Sequence, residues 1–388
     1  MDLRKFFSLT TLVLLAVHLL AAPLSAQADP RYNVTPVAGA GSWASDINRS
    51  GQVAGTMLVS EAQHAFLFSN GMLTDIGALS GGYSVAARMN DLGQVTGSIS
   101  GAWSGGFIYS NGSLAPVPGT NIVSAVGINN AGAVTGTVFV PLPNGDAEYH
   151  AYIAAHGAFT DLGTLPGRIS SGGYDINSAG HVAGSIAMAD GGAPNYPTNA
   201  MLYRNGVMTD LGAGGFMGPW SHANAINDHD QVVGMLGVDF PDAGGELYPT
   251  LAFLYRDGVL GTLGGFGPNL SSWAGDINNL GQIVGGGYFG AAGTSHAFLY
   301  ENGSMLDLNS LIDPGTGWVI EDATAINDLG QIAGKACMGG TCYAVRLDLV
   351  SAVPEPAAAA MLLAGLGLMG MTLRRPARRR RGWLPRRC

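Results

Sequence analysis

The chain has 388 residues, 47% of them apolar and only 12% charged, with 60 glycines and a formal net charge of −9. Two basic residues precede residue 29 and eight follow residue 373, so residues 29–356 hold 8 Lys and Arg against 26 Asp and Glu. A body this acidic repels nucleic acid and anionic polymers unless cations bridge the two, which excludes nucleic acid as a direct partner.

In chain order, Arg4 and Lys5 open a short basic segment, Phe6 to Ala22 is apolar, and Ala26-Gln27-Ala28 is a small-x-small cleavage site. This layout predicts a secretory signal peptide over 1–28, removed by signal peptidase before Asp29; the alternative is a retained anchor. Export makes a disulfide permissible between Cys337 and Cys342, whose four intervening residues suit a hairpin turn.

From Tyr32 onward one unit recurs seven times. With its Asn as register mark, the copies sit at Asn48, Asn90, Asn129, Asn177, Asn227, Asn278 and Asn327, at intervals of 42, 39, 48, 50, 51 and 49 residues. Each mark follows Ile or Met, is followed five residues on by Val or Ile, and then by Gly two further on. The position four before it is always Ala or Gly, which implies close backbone approach. The turn Asn-x-x-Gly is hairpin chemistry, with Asp230 the single replacement for its Gly.

Each copy predicts four short strands: the approach to the mark, a Gln-Val-Ala-Gly type strand, a His64-Ala65-Phe66-Leu67 type strand, and a Leu73-Thr74-Asp75-Ile76 type strand after an Asn-Gly turn. Four strands per repeat of this length predict an all-β, seven-bladed β-propeller over 29–350. Tyr32–Val37 reads as an orphan fourth strand, and the last copy lacks one, so the N-terminal strand is expected to close the ring and remove two open edges. An open or β-helical stack is the competing architecture.

Antiparallel order puts the two tight turns of each unit on one face and the second-to-third loops and inter-unit links on the other. Insertions fall on that second face, at 138–149, 186–198, 236–250 and 286–295. So do the tryptophans: Trp43, Trp220, Trp273 and Trp318 precede first strands, and Trp103 lies in a loop. Two roles are open to them, spacers between units or, for Trp103, Trp220, Trp273 and Trp318, a ligand rim that stacks on sugar or aromatic groups.

Other candidate chemistry is sparse. His64, His150 and His296 repeat in register and are expected to be spread around the ring, as are Asp75, Asp161, Asp210 and Asp307. Asp239, Asp242 and Glu246 offer oxygen ligands to calcium without matching a metal-loop spacing. No Gly-x-Ser-x-Gly elbow occurs and no catalytic constellation is legible, so the expectation is a chain that is not an enzyme, has no cofactor, and serves as a surface or matrix module. A secreted enzyme acting on a glycan or another extracellular substrate is the alternative.

The tail is tripartite: Val353-Pro354-Glu355-Pro356, an uncharged run over 357–373, and a basic segment over 374–388. The run spans about 25 Å as a helix, at the short end of what crosses a bilayer, and the Arg cluster would hold its end in the cytoplasm.

Two resemblances follow from these motifs. The His-Ala-Phe-Leu segments with Asp-Ile-Asn-x-x-Gly-Gln-Val-x-Gly and Asp-Leu-Gly resemble the HAF repeats of extracellular bacterial proteins over roughly residues 32–349. The second copy (Gly106-Phe107-Ile108-Tyr109) and the seventh (Cys342-Tyr343-Ala344-Val345) depart from that pattern. The tail is similar to the PEP-CTERM sorting signal, with Pro354, Glu355 and Pro356 as its motif. That resemblance implies a Gram-negative bacterium, an inner-membrane precursor, recognition and cleavage by an exosortase, and delivery to the cell surface or matrix. It also suggests exopolysaccharide or a surface protein as partner.

Overall fold

The computed structural model describes residues 31–77, 82–101, 104–188, 198–212, 220–238, 249–267, 271–290 and 294–350. The architecture is all-β and consists of four-stranded antiparallel sheets, consistent with a propeller-like arrangement. In the sheet of Asn48 the strands Trp43–Ile47, Val53–Val59, Ala62–Ser69 and Met72–Asp75 pair in sequence order, inner to outer. The sheets of Asn129 and Asn177 repeat this order and touch through a single parallel bridge, Tyr149 to Ser170. The sheet of Asn327 takes its fourth strand from the start of the chain: Tyr32–Ala40 pairs with Thr341–Leu349, Tyr32 opposite Leu349.

The small residues of the repeat have a packing reason. Phe66, Phe107, Phe253 and Phe298 are fully buried at one register of the third strand, with Tyr152 and Met201 in the same place. The rings of Phe66, Phe107 and Phe298 lie over the Gly of the neighbouring strand. A Cβ on Gly55 would come within 2.4 Å of the Trp43 carbonyl and 2.5 Å of the Phe66 ring, and one on Gly97 within 2.6 Å of Phe107. The Gly of Gln-Val-Ala-Gly is therefore fixed first by a carbonyl of the first strand, which would lie 1.9–2.4 Å from such a Cβ in every sheet, and in three sheets by the Phe ring as well. The apolar clusters draw on consecutive sheets; one joins Ala44, Ile47, Val53 and Phe66 to Ala325, Ala333 and Ala344.

Polar staples lie beside these clusters. Ser42, Ser84, Ser171, Ser221 and Ser272 stand six residues before a mark. Each Oγ accepts from an N–H of the preceding sheet's third strand at 2.8–2.9 Å and donates to a glycine carbonyl three to nine residues before it. The marks do the same at the other end. Asn48 Oδ1 accepts from the N–H groups of Ser50 and Gln52, closing its own turn, while Nδ2 donates to the carbonyl of Asn90 at 3.1 Å. The donation passes from Asn90 to Asn129, Asn177, Asn227, Asn278 and Asn327, and Asn327 donates to the carbonyl of Asn48 at 2.9 Å. Every mark is nearly inaccessible, so its amide must be satisfied in this way.

Candidate functional site

Every inner strand carries an irregularity at the same place, just before its mark, and three of them carry a second one nearer their start. In the sheet of Asn48, Ala44 pairs with Gly55 and Asp46 with Ala54, so Ser45 is the extra residue of a β-bulge. Val126, Tyr174, Asn224, Gly275 and Thr324 take that place in other sheets, and Ala87 and Arg88 lie in it in the sheet of Asn90. A bulge leaves one residue unpaired and re-aims the side chains beside it. These eight residues line one cavity of about 390 Å³. Unlike the turn residues, they do not repeat in type. Ser45, Asn224 and Thr324 each donate to a carbonyl of a neighbouring sheet (2.8, 2.8 and 3.1 Å), and the Tyr174 hydroxyl meets Ser185 Oγ at 2.8 Å. What remains on Ser45 and Thr324 is acceptor capacity, while Asn224 keeps its Oδ1 acceptor and a second amide N–H.

Arg88 is the one charged residue lining this cavity. Its Nη2 donates to the Asn224 carbonyl at 3.0 Å and approaches that of Gly275 at 3.5 Å, while Nη1 stands 4.0 Å from Asp46 and 3.8 Å from Asp276. Burial works against the guanidinium charge, but Asp175, Asp276 and Asp46 outweigh it and raise the Arg88 pKa. The carboxylates are also structural. Asp46 accepts from the N–H groups of Ile47 (2.8 Å) and Met89 (2.7 Å), Asp175 from those of Ile176 and Ile226, and Asp276 from that of Ile326. Burial, with Asp276 adding to it, pushes the Asp46 carboxyl up to about 7 against the opposing pull of Arg88. Burial raises Asp276 as well. Three carboxylates share one cation here, and burial favours the protonated form of Asp46.

A second cavity, of about 300 Å³, opens on the turn face and is lined by the marks, the residues before them and those after them. Its polar groups are committed to one another. Asp91 accepts from the Arg49 N–H, Asn130 from that of Asp91, Asp228 from that of Ser178, and Asn279 from that of Asp228, at 2.8–2.9 Å. Burial would raise Asp228, but its bonds from Ser178 and Asn279 outweigh this and hold it below the usual carboxylate range.

Residues 352–380 match the PEP-CTERM protein-sorting motif. That signal marks the protein for export, processing by an exosortase and sorting to the surface. No curated protein matches this sequence. Among solved structures, the chain is similar to a puromycin-hydrolyzing peptidase of Mycobacterium tuberculosis at 11% identity and a TM-score of 0.50, over 86% of this chain and 56% of that one. The β-propeller domain of the Trilobed protease from Pyrococcus furiosus aligns at 9% identity and a TM-score of 0.49, over 83% of this chain and 99% of that one. A Trypanosoma rangeli sialidase aligns at 9% identity and a TM-score of 0.35, over 88% and 57%. The chain thus spans little more than half the length of the peptidase it matches, and the likeness is one of fold.

The expectation that the chain is not an enzyme is corrected on this ground. Its fold recurs in a hydrolytic protein, so the fold is no reason to exclude catalysis. The premise that no ionisable side chains converge also fails, since Asp46, Arg88, Asp175 and Asp276 do. They were missed because each stands two residues before a mark, inside a strand read as alternating; the bulge that redirects that position is invisible to a period-two pattern. The available signal was the change of residue type there, from Asp46 to Arg88 to Gly127.

The other residues singled out from sequence lie as follows. Trp273 is half-buried over Gly286, its indole N–H donating to Asp322 at 3.1 Å and its ring edge-on to Tyr288. Trp220 lies over Gly237 and edge-on to His222, and Trp318 edge-on to Tyr343. Among the described residues no ring-to-ring contact joins these three tryptophans to one another. Trp103, the residues Asp239, Asp242 and Glu246, the segment 1–28 and Pro354, Glu355 and Pro356 lie outside the described residues. His64, His150 and His296 pair with Asp75, Asp161 and Asp307 at 2.8–3.1 Å, with Asn199 and Asp210 filling the same register. Those aspartates also hold the N–H two residues on, which makes the pairs braces for the links. Cys337 and Cys342 are bonded to each other across their hairpin.

With Glu321, Cys337 and Cys342 form a small cluster able to hold a metal ion, their ligand atoms lying within 4.8 Å of one another. It could do so only with the disulfide reduced, and thiolates do not select calcium. Among the described residues no helix is long and apolar enough to cross a membrane.

Two departures from the repeat meet each other. His181 stands where most copies carry Gln, Asp230 stands in place of Gly, and their side chains bond at 2.6 Å between adjacent sheets. Burial opposes ionisation of Asp230, but bonds from His181, Asn177 and Arg204 win and lower its pKa.

Proposed function

We propose that this is an exported, surface-sorted β-propeller of seven blades, its ring closed by Tyr32–Ala40, that takes a neutral saccharide residue in the cavity that Arg88 lines. One observation carries the reading: polar groups that differ from sheet to sheet converge on a cavity of about 390 Å³, a volume that suits one small ligand. Ser45, Tyr174, Asn224 and Thr324 present hydroxyl and amide groups of the kind that hydroxyl-rich ligands bond. The acidic body favours neutral over anionic glycan. The return of the asparagine relay from Asn327 to Asn48 supports a closed ring. The tail, removed near Pro354–Pro356, anchors the precursor in the inner membrane until an exosortase acts.

A second reading has its own observation. Burial pushes the Asp46 carboxyl up to about 7 beside Arg88, which lines the cavity, and a carboxyl so raised suits a general acid, so hydrolysis of a bound extracellular substrate is the alternative. Titration calorimetry of the secreted protein against neutral oligosaccharides from the producing organism's exopolysaccharide tests the first. Asn224→Ala and Tyr174→Phe should each weaken binding about tenfold, and unchanged affinity in both would refute the cavity as the site. Release of reducing ends by wild type but not by Asp46→Asn would establish the second.

A further inference from the structure

The large apolar side chains most exposed among the described residues share one face. Leu92, Met72, Leu280, Val259, Val207 and Leu329 are 55–72% accessible, ahead of Leu58 at 51%. Leu92, Leu280 and Leu329 are the third residues of Asn-x-Leu-Gly turns, and Met72, Val207 and Val259 directly follow the turns that precede the fourth strands. Antiparallel order places both turn types on the same side, and the six residues come from six different sheets. The polar groups between them are mixed: Asp91, Asp228 and Asp328 stand among Asn130, Ser178, Asn279 and Arg49.

The chain leaves the fold on that same side. The third strand of the last sheet ends at Leu349, whose Cδ1 lies 3.1 Å from where a Cβ on Gly330, in that sheet's Asn-x-x-Gly turn, would stand. Six residues, 351–356, separate Val350 from the uncharged run that begins at Ala357. Fully extended they span about 20 Å.

We infer that the turn face is the membrane-facing surface of the unprocessed protein, its apolar tips dipping into the interface of a zwitterionic phospholipid bilayer. The inference rests on the proposed anchoring of the tail. The short spacer keeps the face within reach of the bilayer, so contacts too weak to hold a free protein act at high effective concentration. The face carries isolated apolar tips among polar groups in which three carboxylates outnumber the one cation, Arg49, which matches neutral headgroups and disfavours anionic ones. The insertion-bearing face and its cavity then point away from the membrane.

The test uses the full-length chain with Cys388→Ser, reconstituted in phosphatidylcholine vesicles. A fluorophore is placed at Leu280→Cys or, on the opposite face, at Leu58→Cys, and headgroup-proximal nitroxide lipid is added as quencher. We expect at least twofold quenching at position 280, none at position 58, and loss of quenching when Leu92, Met72 and Leu329 are all changed to Ser in the 280-labelled protein. Co-flotation with vesicles but equal signals at 280 and 58 would overturn this inference alone. Failure to float with the vesicles would overturn the anchoring as well.

Discussion

Replacing Arg88 by Met removes the one cation facing Asp46, Asp175 and Asp276 while keeping much of its volume. Its contacts at 3.8 and 4.0 Å each correspond to about 4 kcal/mol at an effective dielectric near 20, and desolvating the guanidinium returns several kcal/mol of that. The expected net loss is about 3 kcal/mol at pH 8, read from urea unfolding of the mature protein by tryptophan fluorescence. The loss must depend on pH. Asp46 is raised to about 7, so its contribution to stability is fully present below the ordinary carboxylate pKa and is lost as pH rises through 7. Without Arg88 the carboxyl rises further, and at pH 5 it binds its proton rather than standing ionised and unpaired. The loss at pH 5 should therefore fall to about 1 kcal/mol. Adding Asp276→Asn should return part of the stability at pH 8. Equal losses at pH 5 and pH 8 would refute the charge argument and leave Arg88 as a tether for the Asn224 and Gly275 carbonyls.

Asn278→Ala strips the acceptor from the N–H groups of Leu280 and Gln282 and the donor from the Asn327 carbonyl, so thermal unfolding should show a loss of about 2–3 kcal/mol. Gly55→Ala forces a Cβ against the Trp43 carbonyl and the Phe66 ring, and should cost about 3 kcal/mol or prevent folding, whereas Gly71→Ala, with open space around it, is limited to the strain of its positive φ. A double-mutant cycle of His181→Gln and Asp230→Gly should show coupling, with the wild-type pair's advantage present above the ordinary carboxylate range and lost as pH falls through the lowered Asp230 pKa. Reducing Cys337–Cys342 opens only a hairpin, so the loss by calorimetry should be no more than about 2 kcal/mol.

What the amino-acid sequence determined by itself was local. The Asn-x-x-Gly and Asn-Gly turns, the period-two strands between them and the Gly two residues past the Val or Ile are set by backbone conformation and by neighbours within one unit. The four-stranded antiparallel sheets, and the pairing of Tyr32–Ala40 with Thr341–Leu349, could therefore be read from spacing. The sorting motif over 352–380 is likewise a linear signal. Tertiary structure alone decided what lies at the centre. Asp46, Arg88, Asp175 and Asp276 follow one another at separations of 42, 87 and 101 residues along the chain, and they meet only because each inner strand bulges at that place and the sheets bring those places together. The tryptophans show the same division. Their position before inner strands was legible, but whether an indole faces solvent or lies over a glycine depends on the adjoining strand and sheet, and for Trp273 the deciding partners are Gly286 and Asp322.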